Sequence, residues 1–126
     1  MKSWMKKAMV SVAVFGCLSS VSVGASAVSV DLTKNQTHVF SNPISKTFAT
    51  FSGSSSSASE RDVAFISQYK TGLWTWNDDA AHRDIGPGEK CPSTETFKFS
   101  ESKKWRLQLN PIGTDTKGCS ATGTIV

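Results

Sequence analysis

After residue 27 this sequence never sustains an apolar i, i+3, i+4, i+7 stripe for three turns. That removes helical bundles, and it leaves no room for the helical crossovers of a parallel sheet. Several chemical signatures are equally missing. There is no G-x-S-x-G context around any serine, so nothing marks an activated nucleophile. The aspartates of 78–84 lack the alternating D-x-D-x-D-G spacing of a calcium loop. Only two histidines occur, His38 and His82, far apart in sequence and too few for a transition-metal site. Neither a metal nor a cofactor is expected.

Charge of one sign is also scarce once the N-terminus is set aside. Lys2, Lys6 and Lys7 are followed by a nearly uncharged stretch, Ala8 to Gly24, and by Ala25-Ser26-Ala27. A basic start, an apolar middle and a small-x-small end are what a signal peptidase reads. The apolar part is diluted by serine and glycine and is short of the ~20 residues a membrane span needs. The sequence therefore predicts a signal peptide over 1–27, removed to leave a secreted chain from Val28 with no transmembrane segment. Three of the 14 basic residues leave with it while all ten acidic ones stay, so the formal +4 falls to +1. Such a balance gives no support for nucleic-acid binding, which wants a basic stripe. The lysine-rich tag reads as bacterial, and no glycan is expected on the Asn35-Gln36-Thr37 sequon.

Cysteine is sparse too. Cys17 lies in the tag; Val14-Phe15-Gly16-Cys17 loosely resembles a lipoprotein processing site, but Phe15 is bulky where a small residue is preferred. Lipid anchoring at Cys17 is the minor alternative to secretion. Cys91 and Cys119 remain, an even pair in an exported chain, and the expectation is a disulfide between them. Closing that loop would stabilise the fold by about 3–4 kcal/mol.

What is present is alternation, rich in Val, Thr, Phe and Trp and punctuated by Gly, Pro, Asn and Ser. Candidate strands cover 28–33, 37–40, 44–51, 62–69, 73–76, 94–99, 104–110 and 118–126, with 94–99 and 104–110 read as a hairpin. Ser52 to Ser59 has the composition of a flexible loop, and Asn77 to His82 reads as a polar loop. The fold class is all-β: one domain over 28–126, a small antiparallel β-sandwich of Greek-key or jelly-roll type. About eight short strands and one disulfide are expected, with a small β-barrel as the alternative. Phe48, Phe51, Phe65, Phe97, Phe99 and Trp105 are the expected core.

The most suggestive stretch is Tyr69 to Asp84, with Trp74 and Trp76 two residues apart. On one strand both would project from one face. A solvated pair of indoles stacks sugar rings, with Asn77, Asp78, Asp79 and Arg83 as polar partners and Tyr69 as a further ring. The competing reading has both indoles filling the core. His82 with Asp84 or Asp79 could form a His–carboxylate pair, but without a nucleophile no enzyme is expected. Lys98, Lys103, Lys104 and Arg106 form a local basic cluster, an ordinary charged face or a weak contact for anionic polymers or membranes. The expected function is that of a monomeric, non-enzymatic binding protein. Its ligand is a cell surface or polysaccharide, held through Trp74, Trp76, Tyr69, Asn77 and Arg83. The alternative is a secreted antagonist, antimicrobial or inhibitory, displaying Gly86 to Pro92 as a loop anchored by Cys91.

Overall fold

The computed structural model describes residues 27–126, and for 78–80 the backbone alone. The expected export tag and Cys17 lie outside the described residues, Ala27 excepted. Nine strands follow in order: β1 (Val28–Leu32), β2 (Val39–Phe40), β3 (Ile44–Lys46), β4 (Thr50–Ser55), β5 (Val63–Lys70), β6 (Trp76–Ile85), β7 (Lys90–Glu95), β8 (Lys103–Pro111) and β9 (Ala121–Ile125). Among the described residues there is no helix, hence none long and apolar enough to cross a membrane. Two antiparallel sheets result. One is four-stranded in the order β1-β9-β4-β7; the other runs β2-β8-β5-β6, with β3 also paired to β8. Neither closes on itself, so the barrel alternative is not realised.

Strand alternation decides which side chains the sheets share. On β8, Trp105, Leu107, Leu109 and Pro111 are buried while the residues between them face outward. Across β8 they oppose Tyr69, Ser67, Phe65 and Val63 of β5. The four-stranded sheet contributes Leu32, Phe51, Ala121 and Ile125 to the same cluster. Two glycines set how closely the sheets approach. Gly53 and Gly123 oppose each other, and a Cβ on Gly123 would lie 2.7 Å from Leu107 Cδ2 and 3.2 Å from Phe65 Cε2. A Cβ on Gly53 would lie 2.7 Å from the same Phe65 atom. The Phe65 ring thus sits where side chains would otherwise be, which is one use of glycine inside a strand.

Several expectations are corrected here. The segment 44–51 is not one strand: it breaks at 47–49, so that β3 joins one sheet and β4 the other. The expected 94–99/104–110 hairpin is absent, because β7 ends at Glu95 and pairs with β4 whereas β8 lies in the other sheet. The serine-rich segment is not a flexible loop. Its first half belongs to β4, which is paired on both edges. In its second half the buried Ser59 hydroxyl accepts from Ser55 Oγ (3.0 Å) and from Ser120 N (3.0 Å) and donates to the Ser120 carbonyl (3.0 Å). Serine composition suggested looseness; here the hydroxyls close a polar clamp. Of the expected core aromatics, Phe51, Phe65 and Trp105 are buried and Phe99 packs partly on the core, but Phe97 is 45% exposed. Phe48 is half-buried.

The expected disulfide is not formed: Cys91 and Cys119 are both buried free thiols. Register explains why. Cys91 opposes Gly53, and Gly53 opposes Gly123, so two strand spacings separate Cys91 from β9. At about 4.8 Å each, those alone exceed the 4.4–6.8 Å between disulfide-bonded Cα atoms. Cys119 precedes the first residue of β9 and belongs to neither β7 nor β4. Each thiol meets a carbonyl instead, Cys119 Sγ that of Arg61 at 3.3 Å and Cys91 Sγ that of Pro92 at 3.6 Å.

Candidate functional site: the outer face of the five-stranded sheet

The residues of β8 and β5 that alternate with the core form an outward face. Arg106 opposes Gln68 and Gln108 opposes Ile66, with Phe40 of β2 beside Gln108 and Trp76 of β6 beside Lys70. At its centre the Arg106 guanidinium stands over two rings at once, 3.9 Å from the Phe40 centroid and 4.2 Å from that of Trp76. Arg106 Nε donates to Gln68 Oε1 at 2.6 Å, and Gln68 Nε2 donates onward to Gln108 Oε1 at 3.2 Å. Lys70 Nζ also lies over the Trp76 ring, at 5.8 Å. Partial burial among these groups lowers the Arg106 pKa from its usual value. It remains a cation, since an arginine titrates far above neutrality. Among the described side chains no carboxylate pairs with it.

This arrangement suits recognition. A guanidinium this close to two rings makes cation–π contacts with both, and its N–H donors not used by Gln68 remain the route to a partner. Carboxylates, sulfates and phosphates accept such donors in bidentate fashion. Hydroxyl-rich ligands would find the Gln68–Gln108 amide chain alongside.

The residues singled out from sequence are placed variously. Trp74 and Trp76 do not share a strand: Trp76 begins β6, while Trp74 lies in the β5–β6 turn and is 90% exposed. Trp76 is half-buried in the stack. Tyr69 faces the other way, in a cluster with Phe97, Phe99 and Trp105 at centroid distances of 5.7, 4.9 and 5.6 Å. Asn77 opposes Tyr69 and so does not share the face of Trp76. Arg83 opposes Phe65 and reaches Thr94 Oγ1 of β7, its Nε donating at 3.1 Å. Asn77 to His82, expected as a loop, belongs to strand β6, and His82 Nε2 lies 2.6 Å from Asp84 Oδ1 on that exposed edge. Among the described residues no cluster of His, Cys, Asp and Glu could hold a metal ion.

Sequence reading missed Phe40, Gln68 and Gln108, and had Arg106 only as a member of the basic cluster with Lys98, Lys103 and Lys104. Nothing local indicated that β2 and β6, which flank the β8–β5 pair, would bring one ring each to Arg106. Comparison with family models, with curated proteins and with solved structures finds no match for this chain. The molecule is thus placed by its own geometry: a two-sheet, all-β protein with an arginine–aromatic face.

Proposed function

We propose that this is a secreted binding protein, its two sheets packed as a sandwich, that contacts an acidic cell-surface polysaccharide through the outer face of the five-stranded sheet. The observation that carries the reading is Arg106, within 4.2 Å of the Phe40 and Trp76 ring centroids and hydrogen-bonded to Gln68. Trp76 and Arg106 form the platform, and Trp74 lies close by in the adjoining turn. The protein acts by binding and not by chemistry, since the His82–Asp84 pair lies in water on an edge strand. Export is consistent with the position of β1: it begins at Val28, so cleavage after Ala27 would spare every described strand. The inhibitor reading leaned on a loop anchored by a cystine, and the free Cys91 removes that anchor.

The test is calorimetry of wild type and Arg106→Lys against acidic and neutral cell-wall polysaccharides. Acidic polymer should bind, and the lysine variant should bind at least tenfold more weakly with little change in melting temperature, because a compact ammonium cannot present the planar fork. Equal affinity of the two proteins would sink the proposal.

A further inference from the structure

One end of the molecule gathers features that the sheet face does not use. Strand β5 runs toward Lys70, and antiparallel β8 starts beside it with Lys103 and Lys104. Lys46, at the end of β3, opposes Lys103. Lys98 lies in the adjoining 96–102 segment, its Nζ 5.9 Å from the Phe48 centroid, as is that of Lys46. Five lysines therefore share this end, with Glu95 and Glu101 as its described opposing charges.

The same end carries the most exposed large apolar side chains of the described chain. Leu73 (79% exposed) and Trp74 (90%) occupy the β5–β6 turn, and Phe97 stands out beside them at 45%. That turn is braced: Thr71 N donates to the Thr75 carbonyl at 3.0 Å, and the two threonine hydroxyls lie 2.7 Å apart. Behind it, Tyr69, Phe97, Phe99 and Trp105 pack ring on ring. Trp74 is thus presented from a rigid base and not from a floppy loop. Val28 opposes Ile125, near the end of β9 where Val126 pairs with Thr50. Strand β1 therefore starts at this end as well.

We infer that this end docks on an anionic lipid bilayer, with Leu73 and Trp74 in the interfacial layer and the five lysines over the headgroups. Indoles favour the membrane–water boundary, where an apolar ring and a polar N–H are both satisfied. Juxtamembrane lysines are drawn to the negative surface potential of such a bilayer. A polar ligand surface would not need a bare leucine at its most prominent point. The inference does not rest on the polysaccharide reading: Leu73 and Trp74 lie outside the Phe40–Arg106–Trp76 stack, and of the five lysines Lys70 alone borders it.

The experiment uses the full chain with vesicles of phosphatidylglycerol and phosphatidylcholine, and with phosphatidylcholine alone. Anionic vesicles should bind at least tenfold more protein at low salt than neutral ones. Hydrogen exchange at 71–75 should slow at least threefold in the bound protein, which separates docking by this turn from tethering by residues 1–26. A Leu73→Ser/Trp74→Ser variant should lose most of that binding with its melting temperature unchanged, since both side chains are exposed. Exchange at 71–75 at the free rate on bound vesicles, or no preference for anionic lipid, overturns the inference. So does binding of a soluble polyanion without any binding of vesicles.

Discussion

Trp74 and Trp105 are two indoles whose surroundings set opposite expectations for the same substitution. Trp105 is fully buried and its indole N–H donates to the Lys46 carbonyl at 2.8 Å. Trp105→Ala should cost about 3–5 kcal/mol in urea unfolding. Trp74→Ala should stay within about 0.5 kcal/mol, because an exposed ring has little packing to lose. Equal losses would mean that Trp74 is structural. The thiols give a second check. Burial pushes the Cys91 thiol above its ordinary value, opposed by Arg83. The unfolded chain then releases its proton first, so stability is intact below about pH 8.5 and falls as pH rises beyond it. Urea midpoints between pH 7 and 10 should drop less for Cys91→Ala than for wild type. In unreduced, denatured protein both Cys91 and Cys119 should react with a thiol reagent, and both should label slowly in the native state. Residue identity showed two cysteines beyond residue 27 in a chain expected to be exported. Their separation by two strand spacings belongs to the register, which no local pattern carries.

At the level of elements, the pair of facing glycines is the most demanding feature. Gly123→Ala would push a methyl into Leu107 and Phe65 in a packed core, and should destabilise by about 1–3 kcal/mol. A melting temperature equal to wild type would mean that the sheets can part there without cost. Ser59→Ala tests the clamp: it leaves Ser120 N without its hydroxyl partner and should cost about 1–3 kcal/mol in denaturant unfolding. Strand existence was legible where alternation was strong, as in β1, β5, β8 and β9. It failed at β6, where Asn, Asp and His residues read as loop. The edge position accounts for that, since a strand paired on one side keeps polar side chains in water. It failed again at β4, where serine replaced the expected apolar pattern. The outer-face stack was legible only in part, because Phe40 and Trp76 come from strands distant in sequence.

At the scale of the whole fold, β5 and β6 are the one pair of sequence neighbours among the described strands that pair; the other ladders join strands far apart in the chain. Folding is therefore expected on the millisecond-to-second scale typical of non-local β topologies, which stopped-flow fluorescence of the three tryptophans beyond residue 27 would measure. Relaxation in microseconds would be inconsistent with this strand order. That all-β class was legible from composition and period, whereas the order of strands within each sheet was not. One pairing has a consequence for how the chain is made. Strand β9 lies between β1 and β4, so the first strand to emerge during synthesis has no neighbour until the ninth arrives. A chain still attached to the ribosome, or still threading through a translocation channel, cannot complete the four-stranded sheet. The sheet therefore closes as a late step, and a chain exported as proposed would cross its channel before β1 has found its partner.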